Sequence, residues 1–315
     1  MKISAFILLL LLAGFFVQAQ NGKILQQTVY KLADSNITAL KKIDSGVEDV
    51  LAKVRFSSIR YLSDGLAVNG FLAMPALPGK YPCVIYNRGG NRELGAITDT
   101  QLGLIIGQIA SWGYIAVASQ YRGNMGGEGK EEFGGKEVND ILNLVPLLSN
   151  IRGADTSRMG MYGWSRGGMM TYLALTKTQR IKAAVTGSGM ADAILNTARR
   201  PDMKNVFAEL APGFAANPDS VLKSRSAVYW ADSICKSTPL LLLCGSADWR
   251  VFPEEQFAML NSLYKAKHPT RFIMLEGGQH SLTEHLQEVN WNARRFLDKY
   301  VRDLQQWPSM EVHGN

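Results

Sequence analysis

A serine, an aspartate and a histidine stand along this chain in an order that acyl-transfer chemistry uses. Ser165 lies in Tyr162-Gly163-Trp164-Ser165-Arg166-Gly167-Gly168, a Gly-x-Ser-x-Gly run. The apolar run Met159-Gly160-Met161 precedes it, and a helix-like run from Met169 to Lys177 follows. A serine on a sharp strand-to-helix turn is a nucleophile elbow. Glycine is needed at Gly163 and Gly167 because a side chain there would collide with neighbouring backbone. The pattern alone is weak, because a Gly-rich turn can match it by chance. Its partners must carry the argument.

A serine hydroxyl is a poor nucleophile until a base takes its proton and a carboxylate orients that base. In strand-turn-helix hydrolases the order is Ser, then Asp or Glu, then His. Asp248 lies in Cys244-Gly245-Ser246-Ala247-Asp248-Trp249-Arg250-Val251, after the apolar run Leu240 to Leu243. His280 lies in Glu276-Gly277-Gly278-Gln279-His280-Ser281, after Phe272 to Leu275. Both follow a strand's carboxyl end, where open α/β sheets build their sites. Asp248 would hold the imidazole, and His280 would act as general base and then general acid. Glu276 and Asp232 are rival acids. His268, His285 and His313 are rival bases, with a solvated surface position as the plain alternative for each. His280 and His285 are five apart, not the four of a zinc-binding helix pair.

The oxyanion of a tetrahedral intermediate needs donors. The backbone N–H of Arg166, the residue after the nucleophile, is one. The second is expected from Tyr86-Asn87-Arg88-Gly89-Gly90-Asn91, where Arg88 and Gly89 are the candidates. The Arg88 guanidinium could donate to an oxyanion or bind an acidic substrate group. Together Arg88 and Arg166 would place two cations beside Ser165.

The elements that must position these residues alternate. Lys53 to Arg60 and Leu66 to Met74 read as an antiparallel start around the Ser63-Asp64-Gly65 turn. From Tyr81 onward, short apolar strands alternate with helical stretches such as Leu102 to Ala110 and Val138 to Leu148. That alternation predicts a mostly parallel α/β sheet with helices on both faces. A final helix is expected from about Leu282 to Leu304. Residues 190–236, with Pro201, Pro212 and Pro218, break the rhythm and read as a helical insertion forming a partial lid. The expected organisation is a signal peptide at 1–19, a helical lead-in at 20–52, a catalytic domain at 53–304 and a tail at 305–315.

With 315 residues, 46% hydrophobic and 19% charged, the chain can bury a sizeable core. The net charge of +7 is spread along it, without the Lys/Arg blocks of a nucleic-acid binder. Lys2, the apolar run Ile3 to Val17 and Val17-Gln18-Ala19 form a secretory signal pattern with cleavage after Ala19. The apolar run is short for a membrane span of about 20 residues. Export to a periplasmic or extracellular space is therefore expected, with an uncleaved anchor as the alternative. Cys83 and Cys244 lie in buried strand runs, and pairing of Cys235 with Cys244 stays open. No spacing suggests a metal site, and no cofactor is implied. Gly129-Lys130 continues into Glu131, so the Gly-rich run 123–135 is not a phosphate loop.

These motifs together resemble the catalytic domain of the prolyl oligopeptidase family, within the α/β-hydrolase fold. Tyr121-Arg122-Gly123, Gly126, Gly127 and Asp140 are similar to that family's run after the fourth strand expected here. Asp155 to Ser165, Pro239 to Val251 and Gly277 to His280 match its nucleophile, acid and base segments. The resemblance covers roughly Val54 to Val301. It implies a serine peptidase acting on short peptides through an acyl-enzyme. Arg166 and Arg88 depart from the family's usual residues at their positions. About 30 residues separate the signal pattern from the first expected strand, too few for a β-propeller's four-stranded blades. A carboxylesterase acting on small acyl or sugar esters is therefore the second expectation, and a non-catalytic binding protein the third.

Overall fold

The computed structural model describes residues 21–314, so the signal-peptide reading at 1–19 lies outside the described residues. Its strands are β1 (Ile24–Tyr30), β2 (Val54–Ser63), β3 (Leu66–Pro75), β4 (Tyr81–Asn87), β5 (Ile115–Ser119), β6 (Ala154–Trp164), β7 (Ile181–Gly187), β8 (Leu240–Gly245) and β9 (Thr270–Leu275). They form one sheet in the order β1-β2-β3-β5-β4-β6-β7-β8-β9. The β1-β2, β2-β3 and β3-β5 pairs are antiparallel, and the other five pairs are parallel. This is the mostly parallel α/β sheet expected from the alternating pattern, in the α/β-hydrolase fold.

Helices cover both faces, which is why the central strands are apolar throughout. Along β4, Cys83 and Ile85 join one core cluster while Val84 and Tyr86 join the other. The first face is packed by Val138–Leu142, Leu144–Ser149, Arg166–Leu175 and Pro253–Lys265. The second is packed by the helix at 99–111 and by Leu286–Leu297, which continues through a wider turn to Arg302. The last helix thus spans much of the expected 282–304, opening with a short 3-10 turn at Thr283–His285.

The lead-in differs from expectation. Helices form at Asp34–Leu40 and Val47–Ala52, but Ile24–Tyr30 is a strand paired with β2. Its residues alternate weakly, because an edge strand buries little on either face; only Ile24 and Tyr30 are partly buried. The β2 edge supplies the backbone partners that the β1 sequence does not advertise. Residues 190–236 are helical, as expected, with helices at Ala193–Arg199, Asp202–Leu210 and Pro218–Lys223. They pack on the first face through Met203, Phe207 and Leu222. Cys83, Cys235 and Cys244 are all free thiols.

Candidate active site

Ser165 follows β6 and caps the helix Arg166–Leu175, at φ 56° and ψ −123°. A positive φ is strained for a residue with a Cβ and persists only where its surroundings enforce it. They do so here. A Cβ at Gly163 would collide with the Gly167 carbonyl and the Thr171 hydroxyl, and one at Gly167 with the Asn87 carbonyl. Asn87 also donates to Thr171 Oγ1 at 2.8 Å, and Thr171 donates to the Gly167 carbonyl at 2.8 Å. The Ser165 N–H is bonded to the Gly187 carbonyl at 2.8 Å, and its carbonyl accepts from Met190 at 3.1 Å.

Asp248 and His280 are brought together by the parallel pairing of β8 with β9, which aligns Gly245 with Leu275. Their loops are then cross-linked. The Ala247 N–H donates to the Gly278 carbonyl at 2.9 Å, and the Gly277 N–H to Ser246 Oγ at 2.8 Å. His280 Nδ1 stands 2.8 Å and 3.0 Å from the two Asp248 carboxylate oxygens. Asp248 Oδ1 also accepts the N–H groups of Arg250 and Val251, at 2.8 Å and 3.0 Å. The Asp248 side chain is 0% exposed and that of His280 16%. Burial pushes the Asp248 carboxyl up, but the His280 bond and charge and the two N–H groups outweigh it and hold the acid below its ordinary range. Trp164 Nε1 donates to the His280 carbonyl at 3.1 Å, tying the elbow to the histidine loop.

Ser165 and His280 line one cavity of about 310 Å³. The rival residues lie elsewhere. His268 is buried between the Pro269 and Cys235 carbonyls, His285 contacts the Glu276 carbonyl, and His313 lies in the terminal segment beside the Glu311 carbonyl. None of residues 190–236 lines the cavity. Its walls come instead from the helix at 99–111 and from the segment 281–290.

Gly89 borders Ser165: a Cβ added there would lie 3.1 Å from Ser165 Cβ and 3.7 Å from its Oγ. As the first residue of its helix, Arg166 has a backbone N–H with no intrahelical acceptor. The two arginine side chains do not stand as the sequence suggested. Arg88 is 0% exposed, and its guanidinium donates to the Gln120 carbonyl at 2.8 and 3.0 Å, the Gly89 carbonyl at 3.2 Å and the Arg92 carbonyl at 3.1 Å. Its donors are engaged with backbone, so its side chain neither faces an oxyanion nor receives an acidic substrate group. Arg166 is equally buried, paired with Glu131 and Glu137 at 2.6 Å each and bonded to the Gly90 carbonyl at 2.9 Å. A buried guanidinium requires such compensation. The two cations are therefore framework, with Tyr121 lying against both.

Glu131 and Glu137 are functional neighbours that the sequence reading missed. Glu131 also accepts the Arg92 N–H, so one carboxylate holds both the elbow helix and the loop at 88–92. Two glutamates in and just beyond a Gly-rich run give no local signal of where they reach. Among the described residues, no group of three or more His, Cys, Asp or Glu could hold a metal ion.

The prolyl oligopeptidase family model matches residues 103–303. An uncharacterized peptidase of Bacillus subtilis, YtmA, is 32% identical over 255 residues, 81% of this chain and 93% of that protein. An acylaminoacyl peptidase of Pyrococcus horikoshii superposes with a TM-score of 0.69 at 21% identity, over 90% of this chain and 46% of that one. A Pyrococcus furiosus esterase superposes with a TM-score of 0.64 at 18% identity, over 81% of this chain and 93% of the esterase. The chain spans less than half the length of the solved acylaminoacyl and puromycin-hydrolyzing peptidases it matches. The matched segment includes the elbow, the acid loop and the histidine loop, and on that breadth of agreement the chain is a serine hydrolase of the prolyl oligopeptidase family.

Proposed function

We propose that this protein cleaves short peptides through an acyl-enzyme formed on Ser165. The observation that carries the reading is the 2.8 Å contact of His280 with buried Asp248, His280 lining the same cavity as Ser165. With Nδ1 held by Asp248, His280 presents Nε2 to the nucleophile. Ser165 Oγ attacks the substrate carbonyl carbon while its proton passes to His280 Nε2. The resulting oxyanion is met by the Arg166 N–H and by a backbone N–H of the Gly89 loop. His280 then protonates the departing amine, the carbonyl re-forms, and the acyl group stays on Ser165. Water, deprotonated by the same histidine, hydrolyses that ester and returns the proton to Ser165. Asp248 stays ionised throughout and stabilises the imidazolium.

Ester hydrolysis is the second reading. It is favoured by the Pyrococcus furiosus esterase, which the chain matches over nearly all of that protein's length. Kinetics on dipeptide amides and on aryl esters separate the two. Ester turnover without amide turnover would retire the peptidase reading. Ser165→Ala should abolish both activities, and Asp248→Asn should lower kcat on the order of 10⁴-fold, because an amide neither holds the productive histidine tautomer nor stabilises the imidazolium. A wild-type enzyme that a serine-directed phosphonate fails to label would sink the mechanism. Export is proposed on the N-terminal pattern; a mature protein whose mass does not begin at Gln20 would contradict cleavage after Ala19.

A further inference from the structure

The Ser165 cavity has a one-sided chemistry. Tyr86 and Tyr162, from the adjacent strands β4 and β6, form its floor with Trp164. Tyr162 meets Tyr86 edge-on at 6.2 Å and Trp164 at 6.3 Å. Burial pushes both phenols above their ordinary range, so they stay neutral. Among the described residues, the cavity lining holds no carboxylate and no lysine. Among the described residues its one permanently charged side chain is Arg250, which is solvent-exposed and lies against Trp249 at 4.8 Å. A charged group pushed past Arg250 would lose its hydration and find no counter-charge. The volume of about 310 Å³ is at the lower end of the 300–1,000 Å³ usual for small-molecule sites. On the opposite face of the sheet, Arg166, Glu131 and Phe133 pack together, with the guanidinium 4.6 Å from the Phe133 ring.

The cavity wall is held from behind. The helix at 99–111 contains a wide turn, Leu102–Ile106, closed by a bond from the Gly107 N–H to the Leu102 carbonyl. Such turns displace the side chains around them and are frequent at functional sites. Ile105, within this turn, is only half-buried and lines the cavity together with Leu286 and Val289 of the C-terminal segment. Behind the turn, Leu40 and Val47 pack against Leu104. At the helix start Asp99 accepts from the Tyr30 hydroxyl at 2.7 Å, Asn36 Nδ2 at 2.8 Å and the Ala33 N–H at 3.0 Å. The segment at 30–52 thus fixes the position of Ile105.

We propose that this cavity is the specificity subsite for a neutral, apolar group flanking the scissile bond, aromatic or branched aliphatic, and that Ile105 and Leu286 set its size. The inference rests on Ser165 being the nucleophile. The residue types fit the proposal: an aromatic floor, the aliphatic Leu104, Ile105, Leu286 and Val289, uncharged polar groups from Thr100, Gln101, Ser281, Thr283 and Asn290, and the solvent-exposed cation of Arg250. Anionic and cationic isosteres of the same group are excluded by desolvation. One methylene too many costs roughly 10–200-fold in discrimination within an apolar pocket.

The test has two arms. In the first, Ser165→Ala protein is titrated by calorimetry with N-benzylacetamide and with its 4-carboxy and 4-aminomethyl counterparts. The neutral ligand should bind at least tenfold more tightly than either charged one. Adding Ile105→Trp, or Leu286→Trp from the C-terminal segment, should weaken the neutral ligand at least tenfold. In the second arm, wild type and the two tryptophan variants hydrolyse 4-nitrophenyl acetate, phenylacetate and 4-methylpentanoate, and benzyl and naphthyl acetates. The ratio of kcat/KM for bulky over small substrates should fall at least tenfold in each variant. Charged and neutral ligands binding alike, or both variants folded with binding and ratios unmoved, would overturn the subsite. Phosphonate labelling of the wild type reads the nucleophile separately. A protein that binds as expected but is not labelled loses the Ser165 mechanism and keeps the cavity's preference.

Discussion

On one face of the sheet beside Ser165, space is filled by Arg166, Glu131, Glu137 and Phe133; on the other it is left open between Tyr162, Ile105 and Leu286. The filled side is charged, cross-linked and inaccessible. The hollow side is mainly apolar, with Thr100, Gln101, Ser281, Thr283 and Asn290 supplying uncharged polar groups. A network of full charges in low dielectric has one good geometry, whereas aromatic and aliphatic walls tolerate changes of shape. The filled side therefore suits a frame that holds the elbow helix to the loop at 88–92. The hollow side suits the part of the site that decides which substrate enters.

The contrast is broken most severely on the filled side. Arg166→Met would leave Glu131 and Glu137 buried without their cation, at a cost of about 3–5 kcal/mol. Urea unfolding should show that loss, and a change below about 1 kcal/mol would mean the pairs do not hold this side together. Glu255 offers a subtler probe. It is buried, accepts from Asn196 Nδ2 at 2.8 Å, and Asn196 also donates to the Arg250 carbonyl at 2.8 Å beside the acid loop. Burial pushes the Glu255 carboxyl up to about 8. The folded protein then keeps a proton that the unfolded chain loses near pH 4.3, so stability falls as pH rises from there to about 8. Asp248 has the opposite sign: its depressed pKa adds stability above the unfolded value, lost as pH falls through the folded one. Glu255→Gln should flatten the first slope, on the order of a few kcal/mol between pH 5 and 8, and leave the acid limb in place. An unchanged slope would show that Glu255 ionises normally.

The two sides were also unequally legible in the sequence. The elbow, Asp248 and His280 could be read because each follows an apolar strand run in a fixed order, and parallel pairing turns that order into proximity. The arginines misled because charge was read without burial. Arg166 follows Ser165 directly and Arg88 lies in the loop after β4, but both side chains turn inward and pack against buried Tyr121. Their glutamate partners lie 29 and 35 residues from Arg166, in a run whose glycines drew the eye to loops. The hollow side was illegible for another reason. Tyr86, Ile105 and Leu286 are ordinary core residue types, and a cavity is the absence of a neighbour, which no single segment encodes. The strand at Ile24–Tyr30 was hidden likewise, since its partner, not its own pattern, makes it a strand.

Asp99 tests how the hollow side is held. Asp99→Ala removes three bonds to the segment at 30–36, and the unpaired donors should lower stability by about 1–3 kcal/mol. If that segment sets the position of the wall, Asp99→Ala should also narrow the difference in kcat/KM between bulky and small esters while Ser165 still labels. Loss of stability with an unaltered preference would separate the segment from specificity.

The smallest effect belongs to Ile105→Val, and it is the most informative about the wall. Removing one methyl from a half-buried position costs about 0.5–1.5 kcal/mol where the site is packed, and less where the methyl already faces open volume. A near-neutral change in melting is therefore expected. The added space should still be felt by a substrate that fills it, raising kcat/KM for a group one methylene longer relative to the parent by on the order of tenfold, the lower end of the roughly 10–200-fold that one methylene carries. On the filled side, shortening Arg166, Glu131 or Glu137 instead leaves a charge unpaired. A preference that moves without stability would mark Ile105 as part of the substrate's surroundings; stability moving without preference would mark it as core.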